Sequence, residues 1–229
     1  PASLRLHPDL SARDPQGHQL HRGPAMVAFI GRGKLVGVHR TWIDPDDPSR
    51  GRACLDNGVK VPKQMLGRTG EIFGAPVMLT PSGGPFLIVG EGIETTLAAL
   101  AAAVHALPPG APMPSAEAAL SLGALAGPGT RAANAPLCPR KGTPIPSATP
   151  DPEGDRPGWR PPAGTARAGV LADPSTKSPA TAQAMAERAC AKIARACPDG
   201  ARLAIPAGRW DHDDDFADLA EKGILYDQQ

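Results

Sequence analysis

The sequence predicts an α/β fold, in which a mostly parallel sheet follows a small β-rich module. Three observations lead to this prediction. Short apolar runs alternate with helical patterns from residue 86 to residue 222, which is typical of βαβ units. Before residue 80 the apolar runs are separated by glycine-rich and polar turns, which favours hairpins. Hydrophobic residues make up 41% of the 229-residue chain, enough for a packed core, and we expect two domains, residues 1–80 and 81–229.

Composition excludes several classes of protein. No run of about 18 apolar residues occurs, so we expect no membrane span and no membrane partner. The amino terminus lacks a secretory pattern and begins without methionine, which indicates a fragment of a longer cytoplasmic protein. The four cysteines form no CxxC pair, so we expect no zinc. Cys190 and Cys197 share one helical face and are predicted to be core thiols in a reducing compartment.

The β-rich module begins with an expected extended lead-in of weak structure at residues 1–23. A hairpin is predicted next, with strands at residues 25–30 and 35–43. Gly31-Arg32-Gly33-Lys34 lies between them and has the composition of a turn. A polar loop and several short apolar runs complete the module up to residue 80.

The second domain is predicted from alternating strand and helix patterns. One segment interrupts them, because sixteen of the 42 residues from 127 to 168 are Pro or Gly and no apolar period appears there. We expect this insertion to be irregular. The predicted strands are residues 86–89, 118–122, 168–172 and 201–206, and the predicted helices are residues 93–106, 179–196 and 216–222.

Acidic residues follow three of these strands. Glu91 follows the first strand, Asp173 follows the third, and five Asp residues lie within residues 211–218 after the last. Because parallel strands end at the same edge of a sheet, these carboxylates are expected to converge. Converging oxygen ligands suit Mg²⁺ or Mn²⁺. The alternative for the Asp run is a solvated surface loop, and for Glu91 a helix-capping acid in a βα turn.

These residues also carry a resemblance to a known family. Leu87-Ile88-Val89-Gly90-Glu91-Gly92-Ile93-Glu94-Thr95 resembles the first motif of Toprim domains, in the form found in phage- and plasmid-type primases. Leu171-Ala172-Asp173 stands where that family has its Asp-x-Asp motif, and Asp215-Phe216-Ala217-Asp218-Leu219 resembles a later segment. The front module is similar to the amino-terminal part of the DnaG-type primase core, through Gly37-Val38-His39-Arg40 and Pro62-Lys63-Gln64-Met65-Leu66.

The resemblance implies a Rossmann-like Toprim fold and a DNA primase that synthesises short RNA primers on single-stranded DNA during phage or plasmid replication. It implies nucleoside triphosphate substrates and Mg²⁺ or Mn²⁺ as cofactor, with a replicative helicase as a candidate partner. Glu91 would be a metal ligand or general base, and Asp173 a metal ligand. The second Asp of the family's Asp-x-Asp motif is Ser175 here, so Asp213, Asp214 or Asp215 would have to supply the missing charge.

Basic residues of the front module are candidate contacts for nucleic acid. Residues 1–80 contain eleven Lys or Arg and seven Asp or Glu, a balance of +4. Phosphate binding needs cations at backbone spacing rather than one particular sequence. We therefore predict phosphate contacts from Arg40, Lys60, Lys63 and Arg68. Trp42 either stacks on a base or lies in the core, and a solvated β surface is the alternative for the cations.

Three functions remain open at this point. A primer-synthesising nucleotidyltransferase is the leading hypothesis. A degenerate Toprim module that binds nucleic acid without catalysis is the second, and Ser175 is the reason for it. A Toprim nuclease is the third, although the front module resembles primases rather than nucleases.

Overall fold

The computed structural model describes residues 2–47, 51–130, 135–138, 142–154 and 158–223. The fold is mixed α/β, and its β-sheet structure is partly parallel and partly antiparallel. The chain divides into two compact units, Pro1–Ile72 (unit 1) and Phe73–Gln229 (unit 2). The sequence predicts this division after residue 80. None of the helices in the described ranges combines the length and the apolar character that crossing a membrane requires.

Unit 1 is built on four antiparallel strands in the order β4, β3, β2, β1. Strand β1 pairs with β2, β2 pairs with β3 and β3 pairs with β4, all antiparallel. The register of the central pair sets Ala25 opposite Trp42 and Ile30 opposite Gly37. The elements are β1 (Leu4–Arg13), β2 (Gln19–Ile30), β3 (Gly37–Trp42), β4 (Gln64–Gly67) and the short helix α1 (Thr69–Ile72).

The hairpin predicted over residues 25–43 is confirmed by the pairing of β2 with β3. The expectation of a weakly structured lead-in at residues 1–23 was wrong, because β1 pairs along most of β2. A tight turn makes this pairing possible. Asp14 accepts a hydrogen bond from the backbone N–H of His18 at 2.8 Å and also contacts the His18 ring at 2.9 Å. An Asp side chain that bonds its own turn in this way reverses the chain.

Trp42 organises the core of unit 1. Its side chain is 1% exposed and packs with small apolar residues. The indole N–H donates a hydrogen bond of 2.7 Å to the carbonyl of Leu10, which satisfies its one polar group. Trp42 therefore lies in the core and is not available to stack on a base. The buried residues of this core are Ala12, Ala25, Trp42, Ala53 and Val61.

Unit 2 contains a parallel sheet with strand order β7, β6, β8, β9, and the short β5 pairs antiparallel with β7. The register sets Val89 opposite both Glu117 on β7 and Val170 on β8. Connections through helices give the parallel order that the strand–helix alternation predicts. The strands are β5 (Val77–Met78), β6 (Phe86–Gly90), β7 (Ser115–Ala118), β8 (Arg167–Leu171) and β9 (Ala201–Ala204).

Helices cover both faces of this sheet. One face carries Leu87 and Val89, which pack with Leu125 of α3 and with Ala189 and Ile193 of α4. Helix α2 lies on the other face and contacts α5. Parallel sheets bury both faces in this way. The helices are α2 (Ile93–His105), α3 (Leu122–Ala126), α4 (Pro179–Ala194) and α5 (Phe216–Glu221).

The strand predicted at residues 118–122 lies earlier, at Ser115–Ala118. The strand contains Glu117, and glutamate is usually exposed. The sequence pattern therefore favoured the more apolar residues that follow it. The chain turns at Leu120, which has a φ of 64°. Ser121 then caps α3 by accepting a hydrogen bond from the backbone N–H of Ala124 at 3.0 Å.

The insertion at residues 127–168 has no helix or strand in the parts that the structure describes until β8 begins at Arg167. Isolated bridges join Gly129 to Pro150 and Leu137 to Pro144. Proline supplies carbonyls but no N–H, so this segment needs donors from elsewhere. Helix α4 supplies them through Arg188, which donates to the carbonyls of Ser147 (2.6 Å) and Gly127 (3.1 Å).

Candidate functional site

Glu91 lies between β6 and α2, at the carboxyl edge of the parallel sheet. The two elements are joined tightly, because a Cβ added to Gly90 would meet the Thr96 hydroxyl at 2.7 Å. The backbone of Glu91 is held in place, since its carbonyl accepts a hydrogen bond of 2.9 Å from the N–H of Leu120. Its side chain is half-buried. The glycine fixes how closely the strand and helix approach, and it thereby positions Glu91.

Asp173 follows the neighbouring strand, β8, at the same edge of the sheet. Strand β8 ends at Leu171, and the N–H of Ala172 continues the pairing with β9 by donating to Ala204 at 2.9 Å. Because β6 and β8 are parallel and Val89 is opposite Val170, Glu91 and Asp173 follow the ends of adjacent strands. Asp173 is half-buried between Ala172 and Pro174, which are both buried. The predicted convergence of these two acids is therefore compatible with the strand order.

Asp213 joins the loop after β9 to the loop after β8. Its carboxylate accepts two hydrogen bonds from Thr176, from the backbone N–H at 2.9 Å and from the hydroxyl at 2.6 Å. These bonds, the hydroxyl first, lower the pKa of Asp213 below its ordinary value. Thr176 lies three residues beyond Asp173, so this contact ends beside the candidate ligand.

Asp215 joins the same region to α2. It caps α5, and its Oδ1 accepts hydrogen bonds from the N–H groups of Ala217 (2.7 Å) and Asp218 (3.0 Å). The carboxylate of Asp218 in turn accepts a hydrogen bond from the backbone N–H of Asp215, which completes a capping box. The other oxygen of Asp215 accepts a hydrogen bond of 2.7 Å from the hydroxyl of Thr95 in α2.

These contacts divide the four predicted metal ligands into two pairs. Asp213 and Asp215 hold the loops of the edge together through threonine hydroxyls and backbone N–H groups. Within the described ranges, no three His, Cys, Asp or Glu residues form a group that could hold a metal ion. Glu91 and Asp173, which follow the ends of adjacent parallel strands, stay candidate ligands. Two carboxylates fit Mg²⁺, which keeps several waters and takes substrate phosphates as its further ligands.

Arg40 is the most constrained of the predicted nucleic-acid contacts. It lies on β3 of unit 1, half-buried, and donates a hydrogen bond of 2.8 Å to the side-chain oxygen of Gln64. Its guanidinium carbon lies 5.3 Å from the centre of the Trp42 ring, within cation–π range. Burial lowers its pKa. Arg40 therefore has a packing role beside any contact with phosphate.

The other three predicted contacts are exposed and lie close to β4 in the chain. Lys60 and Lys63 precede the strand, and Arg68 follows it directly. Arg68 is 89% exposed and lies 3.5 Å from the carboxylate of Glu71. Exposed cations beside the outer strand of a sheet are compatible with binding to phosphate, and the exposed ion pair with Glu71 contributes little stability of its own.

Sequence reasoning missed several residues that shape unit 2. Thr95 and Thr176 are the partners of Asp215 and Asp213. Glu117 is fully buried and accepts a hydrogen bond of 2.9 Å from the indole N–H of Trp159. Of these features, the contact between α4 and the insertion has a signal in the sequence. Arg188 and Lys192 stand four residues apart on α4, beside an otherwise apolar stripe. Cations in that position reach the carbonyls of an adjoining proline-rich segment.

Comparison with known proteins gives one match. Residues 1–74 match a family described as "Domain of unknown function (DUF7146)", which covers less than half of the 229-residue chain. The match coincides closely with unit 1. No curated protein and no solved structure matches the chain.

Proposed function

We propose that the chain is a primase-type nucleotidyltransferase core, with unit 2 as a Toprim domain that uses Mg²⁺ or Mn²⁺. The observation that carries the proposal is the parallel pairing of β6 with β8. Because of this pairing, Glu91 and Asp173 follow the ends of two adjacent strands. That edge is where open α/β sheets bind ligands. The sequence motifs around both acids support the same assignment.

Glu91 and Asp173 would hold the cation, and Thr95, Thr176, Asp213 and Asp215 would keep the surrounding loops in place. A divalent cation bound there lowers the pKa of an attacking hydroxyl and offsets charge on the leaving oxygen. Asp213 and Asp215 would brace this edge, because their carboxylates accept hydrogen bonds from Thr176 after β8 and from Thr95 in α2.

The exposed cations of unit 1 would bind the template or the nucleotide. Lys60, Lys63 and Arg68 are exposed, and phosphate contacts of this kind weaken steeply with added salt. The binding of single-stranded DNA should therefore fall as the salt concentration rises. Substituting these residues should lower affinity to a similar extent for every DNA sequence, because phosphates carry no sequence information.

Primer synthesis on single-stranded DNA with Mg²⁺ or Mn²⁺ tests the proposal. Glu91→Gln and Asp173→Asn should each reduce product by about 100-fold or more, as expected when a metal site is lost. Glu187→Gln is the matched control, because it removes an exposed carboxylate of α4 and should leave synthesis unchanged. Equal product from wild type and Glu91→Gln would exclude this role for Glu91.

A second function is favoured by a specific observation. Ser175 replaces a carboxylate of the family motif, and the nearest substitutes, Asp213 and Asp215, already accept hydrogen bonds from threonines. A module that binds nucleic acid without catalysis would show salt-sensitive binding and no turnover. Calorimetric titration with Mn²⁺ separates the two functions. Uptake that Glu91→Gln abolishes supports the enzyme, and no uptake in the presence of DNA and nucleotide supports the binding module.

A further inference from the structure

A cavity of about 580 Å³ lies between the insertion and the carboxyl-terminal end of α4. Its volume is within the range of about 300–1,000 Å³ that is typical of small-molecule sites. Residues on its wall precede β8 and follow α4, so it lies at the amino edge of the sheet. Glu91 and Asp173 lie at the opposite, carboxyl edge. The wall includes Pro150, Trp159, Pro162, Thr165, Lys192 and Arg195.

Positive charge dominates the polar part of this wall. Among the described residues, the cavity is lined by Arg160, Lys192 and Arg195, with Asp151 as the one carboxylate. The ammonium group of Lys192 is fixed, since it donates hydrogen bonds to the carbonyls of Leu125 (2.5 Å) and Trp159 (2.8 Å). Burial, and then the nearby charge of Arg160, lower the pKa of Lys192 to about 8. An anion beside this group would offset both effects.

Thr165 is an independent observation that points to a ligand. The residue lines the cavity, is 4% exposed, and has its hydroxyl oxygen buried. That hydroxyl has no hydrogen-bond partner among the described residues. A buried hydroxyl without a partner is unfavourable, and native proteins contain few of them. A rotation about χ1 that turned this hydroxyl toward the cavity would let a ligand exchange a hydrogen bond with it and remove this cost.

We infer that the cavity binds a small anion with an apolar body, whose charged group lies against Lys192 and Arg195 and whose body lies against the proline-rich wall. The carboxyl end of α4 and the end of the insertion supply the cations and the buried hydroxyl together. The ligand is thus a small molecule that carries a phosphate, sulfonate or carboxylate group, rather than a metal ion or a polymer. The inference does not rest on the proposed function, because the two sites occupy opposite edges of the sheet.

Anilinonaphthalene sulfonate, an anion on an aromatic body, is a suitable probe for the complete chain. Its fluorescence on binding should report one equivalent of probe per chain. Thr165→Val removes the hydroxyl at nearly constant shape, and Arg195→Gln removes an exposed cation at the C-cap of α4. Each substitution should weaken binding by about tenfold, the effect of one lost hydrogen bond to a charged group.

Two controls make the result specific. Arg202→Gln changes the net charge by the same amount, and Arg202 is an exposed residue of β9 that does not line this cavity. It should leave the affinity unchanged. Phenylnaphthylamine, the uncharged analogue of the probe, should bind at least tenfold more weakly than the sulfonate and should not respond to Arg195→Gln. Equal binding of both probes, or equal loss in Arg195→Gln and Arg202→Gln, would overturn the inference.

Discussion

Thr95 and Asp215 are joined by a hydrogen bond of 2.7 Å from the threonine hydroxyl to the carboxylate, across 120 residues of sequence. Thr95 is buried in the first turn of α2, and Asp215 is the amino-terminal cap of α5. The bond therefore fixes the start of α5 against the helix that follows Glu91. It makes the acidic segment near the end of the chain part of the carboxyl edge of the sheet.

Replacing Thr95 by Val should lower the free energy of unfolding of unit 2 by about 1–2 kcal/mol. The change keeps the branched shape and removes the hydroxyl that Asp215 accepts from. Urea denaturation followed by circular dichroism would measure it. Thr95→Ser retains the hydroxyl and should recover most of the loss. If Thr95→Val and Thr95→Ser were equally stable, the hydrogen bond would contribute nothing.

Gly90 should not tolerate alanine. A Cβ at that position would lie 2.7 Å from the Thr96 hydroxyl and 3.3 Å from Cβ of Leu171, so β6, α2 and β8 would have to separate. We expect Gly90→Ala to destabilise unit 2 by about 1–3 kcal/mol, as overpacking does. The readout is the midpoint of thermal or urea unfolding.

Gly123→Ala is the matched control for that substitution. Gly123 lies in α3, and a Cβ there would meet nothing within 4 Å. Alanine favours the helix, so this variant should gain roughly 0.5–1 kcal/mol. Loss of stability in both variants would mean that close packing at Gly90 is not the cause.

The edge of the parallel sheet could be predicted from the sequence because its signals are local. Apolar runs predicted β6, β8 and β9, and the rule that parallel strands end at one edge predicted that Glu91 and Asp173 follow strand ends on the same edge. The partners of Asp213 and Asp215 could not be predicted in this way. Each is a threonine distant in the sequence, Thr176 in the loop after β8 and Thr95 in the first turn of α2, and a threonine that donates such a bond has no distinct sequence pattern.

The two regions that resisted prediction have different physical causes. Strand β1 alternates apolar residues (Leu4, Leu6, Leu10 and Ala12) with polar ones, but most of the strand is exposed, and it is ordered by pairing with β2. The insertion has no apolar period, and three of its carbonyls, those of Gly127, Ser147 and Trp159, accept hydrogen bonds from Arg188 and Lys192 rather than from regular secondary structure. In both cases the stabilising partner lies elsewhere in the chain, where a local pattern does not show it.

Trp159 and Glu117 should be coupled energetically. Both side chains are 0% exposed, and the indole N–H donates to the carboxylate at 2.9 Å. Trp159→Phe removes that donor and leaves a buried acceptor, so we expect a loss of about 2–4 kcal/mol in the free energy of unfolding. Denaturation monitored by circular dichroism avoids dependence on tryptophan fluorescence.

A double-mutant cycle isolates this contact. Glu117→Gln keeps an oxygen acceptor but removes the charge. If the hydrogen bond to the carboxylate carries the effect, Trp159→Phe should cost less in the Glu117→Gln background, with a coupling energy of about 1 kcal/mol. Strict additivity of the two substitutions would show that Trp159 acts through its volume alone.

Lys192 should make the stability of unit 2 rise with pH between about 8 and 10.5. Its pKa in the folded chain is lowered to about 8 by burial, from an ordinary value of 10.5. Between these values the unfolded chain binds a proton that the folded chain has released. The free energy of unfolding increases with pH wherever the unfolded state binds more protons. Because the site is partly open to solvent, we expect a gain on the order of 1 kcal/mol across the window.

Variants at the same position separate this effect from the titration of other groups. Lys192→Met has no proton to lose, and Lys192→Arg keeps its charge throughout, so both should remove the rise that wild type shows. Lys60→Met, a substitution at an exposed lysine of unit 1, should keep it. Urea midpoints measured at pH 7.5 and 10 for the four proteins give the comparison. A rise in Lys192→Met as large as in wild type would assign the pH dependence to other groups. Loss of the rise would assign it to Lys192, whose ammonium group joins α4 to the carbonyls of Leu125 and Trp159.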